Sequence, residues 1–157
     1  MFARKLLKQF DTHAEHLTRQ LEKKLRDSGA CIELFNRVPV DEQERSLRQI
    51  YQHVSEWLAD ENTPVKKEYY IELGRRRAQQ GVPFSDLLAG VCAAREYLWE
   101  YVERETLLDE PADFWGGVRM LRLLDTCFDK ALCFAAIGHR TATEEMQAHA
   151  VSVSAHR

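Results

Sequence analysis

Two helices joined by a sharp turn are predicted between residues 69 and 102, and this corner constrains the fold more than any other segment. Gly81 follows a helical run in the position of a left-handed C-terminal cap, so the first helix should end there. Pro83 then fixes the turn, and Ser85 can accept a hydrogen bond from the first free amides of a second helix. The chain must therefore pack these two helices around a short connection.

The second corner helix carries a cation on its apolar stripe. Apolar residues recur at spacings of three and four: Phe84, Leu87, Leu88, Val91, Leu98 and Val102. Arg95 lies on the same stripe, and a cation that faces a core requires a partner. Asp125 in the final helix is the predicted partner, with Glu72 as the competing one. We predict a buried pair that either fixes the register of the helices or forms a small, switchable polar pocket.

Helical periodicity extends over most of the remaining sequence. The predicted elements are a helix over residues 2–27, a short segment before Pro39, a helix capped by Asp41, one opening at Thr63 and Pro64, one over residues 85–105 and a last from about 114 to at least 136. No segment alternates as a strand does. We therefore predict a single all-α domain of about five to six helices over residues 1–140, globin-like or a helical bundle. Residues 141–157 form a polar C-terminal tail or a helix extension.

The composition argues against several classes of protein. With a net charge of -3, the 157-residue chain has no general basic field for DNA or RNA. No apolar run is long enough for a signal peptide or a membrane span, which favours a cytoplasmic protein without a membrane partner. The four cysteines are scattered and include no CxxC pair, so reduced thiols are expected.

Three consecutive arginines, Arg75, Arg76 and Arg77, lie near the end of the first corner helix. Successive helical residues are about 100° apart, so the three side chains form a fan and not a patch. Even without a partner, their positive charge is favourable near a helix C-terminus, because it interacts with the negative end of the helix dipole. Exposed guanidinium groups are also candidates for binding an acidic partner surface.

Aromatic residues are concentrated in the corner helices. Tyr97, Trp99 and Tyr101 cannot all face inward together with Leu98 and Val102. We therefore expect some aromatic surface on the second corner helix, which is typical of a partner-binding site. The preferred use is a homodimer formed through this helix or the last one, and a regulatory protein is a further candidate partner.

Six histidines raise the question of a metal or haem: His13, His16, His53, His139, His149 and His156. None forms an HExxH motif, and His13 with His16 has no second pair of ligands nearby in the sequence. His53 and His139 remain candidates for a haem ligand on a helix. We expect no cofactor, with a haem- or small-molecule-binding globin-like sensor as the alternative.

No catalytic motif is present in the sequence. It lacks a glycine-rich phosphate loop, a GxSxG elbow and paired ExxH motifs. Gly116 and Gly117 follow Trp115 without the strand that a nucleotide-binding fold requires. We therefore expect that the protein is not an enzyme.

The stretch ELGRRRAQQGVPFSDLLAGVCAAREYLWEYV resembles the core motif of the RsbRD-type N-terminal domain, a helical domain named after a co-antagonist of the RsbT kinase in bacterial stress signalling. The resemblance continues through DTCFDKALCFAA, but only the corner is specific. The motif positions are Gly74, Arg76, Gly81, Pro83, Leu87, Arg95 and Leu98, with Asp125 at the acidic position of the last helix.

This resemblance implies signal input and not catalysis. Domains of the family commonly precede a STAS, histidine kinase or other output domain, whereas only a polar tail follows His139. A stand-alone or partner-binding version is therefore expected. A ligand or partner would bias the helix packing around Arg95, and the last helix would transmit the change. A weak nucleic-acid-binding helical protein is the second alternative.

Overall fold

Helices account for all the regular secondary structure in the computed structural model, which describes residues 2–60, 62–106 and 111–157. The helices of these residues are α1 (Phe2–Ser28), α2 (Ile32–Arg37), α3 (Val40–Ala59), α4 (Lys67–Gln79), α5 (Phe84–Thr106) and α6 (Pro111–Ala155). They pack as one bundle, which confirms the predicted all-α, single-domain fold. Residues 107–110, within the predicted connection before the last helix, lie outside the described residues.

The corner between α4 and α5 has the predicted shape. Gly81 has a φ of 77°, in the left-handed region that favours glycine. The amide of Val82 closes the turn by donating to the carbonyl of Arg77 at 2.9 Å. Ser85 does not cap α5, because the helix begins one residue earlier and the carbonyl of Pro83 accepts its first amides. The position of the corner was therefore predicted correctly, but its capping group was not.

Two other helix starts differ from their predictions. The amide of Thr63 donates to the carbonyl of Asp60 at 2.9 Å, so Thr63 and Pro64 belong to a turn, and α4 begins only at Lys67. Helix α3 begins one residue before Asp41, which places this carboxylate inside the first turn. It still lies at the positive end of the helix dipole.

The core lies where α1, α3, α5 and α6 meet. Its fully buried side chains include Leu21, Leu98, Val102, Leu124 and Phe128. Helix α2 is too short to bury a residue of its own, and it is held by the side chain of Asp86 in α5. Oδ2 of Asp86 accepts the amides of Glu33 and Leu34 at 2.9 and 3.3 Å, which satisfies two free donors at the start of α2.

Helices α4 and α6 are in direct backbone contact. A Cβ atom on Gly74 would overlap with the carbonyl oxygen of Ala135, and one on Gly138 would overlap with the carbonyl oxygen of Ile71. Because both positions are glycine, the two helices approach more closely than ordinary side chains would permit. A displacement of α4 must therefore displace α6, or separate the two helices.

Helix α6 is much longer than the bundle requires. Its 45 residues span about 67 Å at 1.5 Å per residue. The last buried side chain is Ala142, and residues 144–157 are exposed. The C-terminal segment is therefore a helix extension that continues to Ala155. None of the helices in the described residues combines the length and the apolar character needed to cross a membrane.

Candidate functional site

Arg77 in α4 is a buried cation, with only 2% of its surface exposed. Its Nη1 donates to Oε1 of Glu42 at 2.7 Å and to Oε1 of Gln80 at 2.9 Å. Its Nη2 donates to Oγ of Ser46 at 2.9 Å. These bonds compensate for the desolvation of the guanidinium group. The predicted exposure of Arg77 is therefore wrong, because α3 covers this face of α4.

The three consecutive arginines point in different directions, as their spacing predicts. Arg75 reaches the extension of α6, where its Nη1 lies 2.8 Å from Oε2 of Glu145. Arg76 is exposed and donates from Nη2 to Oε2 of Glu42 at 2.9 Å. Arg77 points inward. The C-terminal half of α4 is thus connected by ion pairs to both α3 and α6.

Glu42 is the shared acceptor of this group of residues, which we call the Arg77 cluster: Arg77, Arg76, Glu42, Gln80 and Ser46. Hydrogen bonds from Arg76, with further ones from Arg77 and Gln80, lower the pKa of Glu42 to about 2 against the opposing effect of desolvation. The carboxylate therefore stays ionised throughout the physiological range. The cluster behaves as a permanent electrostatic link between α3 and α4.

A cavity of about 80 Å³ lies beside the Arg77 cluster, between the first five helices. Most of its wall is apolar, including Leu25, Phe35, Leu47, Ile50, Leu73 and Val91. Glu22, Gln43, Ser46 and Arg77 supply the polar part. The cavity combines an apolar body with a few fixed polar groups, which is typical of small-molecule sites in proteins.

Glu22 is an unusual residue in the wall of this cavity. Its Oε1 atom is buried and has no hydrogen-bond partner among the described residues. Desolvation raises the pKa of Glu22, and repulsion by Glu44 adds to this, while Arg26 acts in the opposite direction. The carboxylate therefore has an unused acceptor position that faces a largely apolar space.

Arg95 is not buried, although it lies on the apolar stripe of α5. Its side chain is 31% exposed, and its Nη1 lies 3.1 Å from Oδ1 of Asp129. Asp125, the predicted partner, is 4.0 Å from Nε of Arg95. Glu72, the competing partner, is exposed on α4. The predicted burial is wrong because the long arginine side chain extends from the stripe to the solvent-exposed border of α6.

Two of the three aromatic residues predicted to leave some exposed surface on α5 face inward, so that surface is limited to Trp99. Tyr97 and Tyr101 are buried, and Trp99 is half-buried. The hydroxyl group of Tyr97 donates to Gln20 in α1, and Nε1 of Trp99 donates to Oδ1 of Asp125 in α6 at 2.8 Å. Helices α1 and α6 cover α5 from two sides, so these tyrosines present no surface to a partner.

Two of the histidines link parts of the fold. Nε2 of His139 lies 2.8 Å from the carbonyl oxygen of Val82, which connects α6 to the corner. Nδ1 of His53 lies 3.3 Å from the hydroxyl group of Tyr70, and burial lowers its pKa. The side chain of His13 lies outside the described residues. In the described part of the chain, no three His, Cys, Asp or Glu residues are grouped to hold a metal ion.

The Arg77 cluster and Glu22 were not predicted as a site. The sequence does contain a partial signal: Glu42 and Ser46 are four residues apart on α3, and Arg77 lies three residues before Gln80, the C-cap of α4. Each pair therefore lies on one face of its own helix. The packing of α3 on α4 brings the two faces together, and no local pattern specifies that packing.

The comparison with known families suggests that this bundle is a regulatory, sensory-type domain. The chain belongs to the family described as the RsbT co-antagonist protein rsbRD N-terminal domain, whose profile matches residues 12–153. This match confirms the resemblance at the corner and extends it along most of α6. Comparisons with curated proteins and with solved structures give no match.

Proposed function

We propose that this domain is a non-catalytic cytoplasmic regulator in bacterial stress signalling, which acts by binding a partner and repacking its helices. The observation that carries the proposal is the course of α6. This helix passes through the core from Met120 to Ala135, touches the backbone of α4 at Gly74 and Gly138, and continues as an exposed helix to Ala155. A change in the packing of α4 therefore has a direct mechanical route to a surface outside the bundle.

The corner provides a second link along this route. His139 of α6 bonds to the carbonyl of Val82, and its ring packs against the ring of Phe84 with 5.5 Å between centroids. Arg75 adds an ion pair to Glu145 in the extension. Movement of the α4–α5 corner would thus be passed to α6 at several points along its length.

The partner we propose is a second copy of this chain, bound through the extension of α6. Met146 and Val153 are exposed apolar residues one heptad apart, and His149 lies between them at spacings of three and four. Such spacing forms the seam between two parallel helices in a coiled coil. Because α5 is covered within the bundle, α6 is the better supported of the two dimer surfaces expected from the sequence. A separate regulatory protein would then recognise the dimer.

Sedimentation equilibrium of the full chain tests this proposal. We expect a particle of twice the 18.3 kDa chain mass at micromolar concentration. Met146→Glu and Val153→Glu should each shift the protein towards the monomer, because a charge is introduced into the apolar seam. Gln147→Glu is the matched control, since it adds the same charge about 100° away on the same helix and should leave the dimer intact.

A monomer at every concentration would overturn the proposed dimer. Equal effects of Met146→Glu and Gln147→Glu would show that general charge, and not the seam, controls association. Circular dichroism of all variants should be unchanged, since these residues are exposed and outside the core.

A further inference from the structure

The cavity beside the Arg77 cluster has one open hydrogen-bonding position. The other polar groups in its wall are engaged: Arg77 has three partners, and Nε2 of Gln43 donates to the carbonyls of Leu34 and Val38 at 3.2 and 2.7 Å. Oε1 of Glu22 is buried without a partner among the described residues. An acceptor in this state favours a ligand that brings a hydrogen-bond donor.

The charges around Glu22 favour a positively charged donor. Glu44 repels the carboxylate of Glu22, and a cation bound to Glu22 would reduce this repulsion. Arg77, the cation in the cavity wall, is paired with Glu42 at 2.7 Å, which partly offsets its positive charge. Arg26 opposes the binding of a cation, but its guanidinium group lies over the ring of Phe35, 5.2 Å from the centroid. Glu22 is itself only partly buried, so a charged head group can lie at the border of the cavity without complete loss of water.

The volume of the cavity limits the size of the ligand. A cavity of about 150 Å³ lined by aliphatic side chains holds benzene, a molecule of six heavy atoms. The 80 Å³ found here is about half that volume, so it suits a compact hydrocarbon group of about three heavy atoms. Leu47, Ile50 and Leu73 provide a wall that fits a branched hydrocarbon chain. We infer that this cavity binds a small aliphatic amine, with its hydrocarbon part among the leucines and its ammonium group on Glu22.

This inference rests on the proposed regulatory function, for which it supplies a class of signal. Leu73 of α4 is part of the cavity wall, together with Ile50 and Val91. The same three side chains also border a second void of about 10 Å³, whose far side is formed by α6 residues that include Cys127 and Phe128. Occupation of the cavity would therefore act on the layer of side chains that separates it from α6.

Binding can be measured on the full chain by amide chemical-shift changes, with 2-methylpropan-1-amine as the probe, because its branched end is a group of about three carbon atoms. We expect half-saturation on the order of 1 mM, which is within the affinity limit for a ligand of about five heavy atoms. 2-Methylpropan-1-ol and 2-methylpropanoate have the same branched skeleton without the positive charge. The alcohol should bind about ten times more weakly, because it lacks a charge-assisted hydrogen bond, and the carboxylate should not bind.

Two variants test the position of the ligand. Glu22→Gln keeps the shape of the side chain and should weaken amine binding about tenfold, whereas the matched control Glu15→Gln, on the exposed face of the same helix, should leave it unchanged. Gly90→Ala places a methyl group 3.4 Å from Cδ2 of Leu34 and narrows the cavity. Gly90→Ala should weaken the binding of the amine and of the alcohol to the same extent. Circular dichroism verifies that each variant is folded.

Several outcomes would overturn the inference. These are the absence of shifts around the cavity at ten times the expected half-saturation concentration, equal binding of the amine and the alcohol, or unchanged amine affinity in Glu22→Gln. None of these results affects the sedimentation of the ligand-free chain, so failure of the ligand inference is distinguishable from failure of the proposed dimer.

Discussion

Gly74 of α4 lies against the main-chain carbonyl of Ala135 in α6, with no space between the two backbones for a side chain. Gly138 makes the reciprocal contact with the carbonyl of Ile71. Contacts between backbones cannot adapt by a change of rotamer, so they transmit displacement more rigidly than contacts between long side chains. The contact between α4 and α6 therefore forms a rigid connection between the bundle and its projecting helix.

Substitution of Gly74 by alanine should destabilise the fold strongly. Gly74→Ala is expected to lower the free energy of unfolding by about 3 kcal/mol, because the new methyl group meets a backbone oxygen that can move only if α6 moves. Urea unfolding followed by circular dichroism measures this change. Gly116→Ala is the matched control, since it is also helical but has no atom within 4 Å of the added methyl group. It should raise stability by about 0.5 to 1 kcal/mol. Similar effects of both substitutions would contradict the close approach of α4 and α6.

Removal of the charge of Glu42 should also destabilise the protein. Glu42→Gln leaves the buried guanidinium of Arg77 without its anionic partner, and we expect a loss of about 3 kcal/mol in urea unfolding at pH 7. Asp41→Asn removes a neighbouring charge that is exposed and, among the described residues, pairs only with Arg45 at 3.7 Å. Its effect should be below about 1 kcal/mol, since water screens both this ion pair and the interaction of Asp41 with the helix dipole. A large effect of Asp41→Asn would mean that general charge at the start of α3 is responsible.

The same carboxylate should produce a characteristic loss of stability in acid. The pKa of Glu42 is about 2 in the folded chain and 4.5 for an ordinary glutamate, so the folded state binds the proton more weakly than the unfolded state. Its contribution is therefore complete above about pH 4.5 and is lost as the pH falls towards 2. Urea midpoints between pH 5 and pH 2 should fall more steeply for the wild type than for Glu42→Gln. Parallel curves would show that Glu42 does not titrate in this way.

Arg77 and Arg95 should differ in their contribution to the stability of the fold. Arg77→Gln should cost about 3 kcal/mol of stability, because it leaves Glu42 short of a buried partner. Arg95→Gln should cost less than about 1 kcal/mol, since Arg95 and its partner Asp129 are both partly exposed and screened by water. Urea unfolding of both variants under identical conditions makes the comparison. An equal cost would mean that Arg95 is held more firmly than its geometry indicates.

Replacement of Glu22 should stabilise the ligand-free protein. Desolvation raises the pKa of Glu22, so the folded state binds its proton more tightly than the unfolded state does. The stability associated with this proton is present below about pH 4.5 and is lost as the pH rises. Glu22→Gln should therefore melt at a higher temperature than the wild type at pH 7, and the difference should shrink at pH 4. Glu15→Gln, in the same helix, should not raise the melting temperature at either pH. A higher melting temperature in this variant would show that net charge, and not the burial of Glu22, causes the effect.

Features with a local cause were predictable from the sequence. The left-handed conformation of Gly81 and the turn at Pro83 depend on a few adjacent residues, and both lie where the sequence predicts them. The start of α4 was misplaced because Thr63 and Pro64 suit a turn as well as a helix cap. Adjacent residues alone do not distinguish a turn from a helix cap. In the structure the amide of Thr63 donates to the carbonyl of Asp60, which closes a turn before the helix begins.

The charged residues mark the limit of sequence reasoning most clearly. Helical spacing correctly separated the directions of the three consecutive arginines, and it placed Arg95 on the apolar stripe of α5. It did not show that Arg77 would be the buried cation or that Arg95 would reach solvent. The sequence by itself determined the helices and their corner, because each depends on neighbours along the chain. Only the tertiary structure decided which faces are buried, because periodicity defines an angle around one helix axis, whereas burial depends on which other helix lies at that angle.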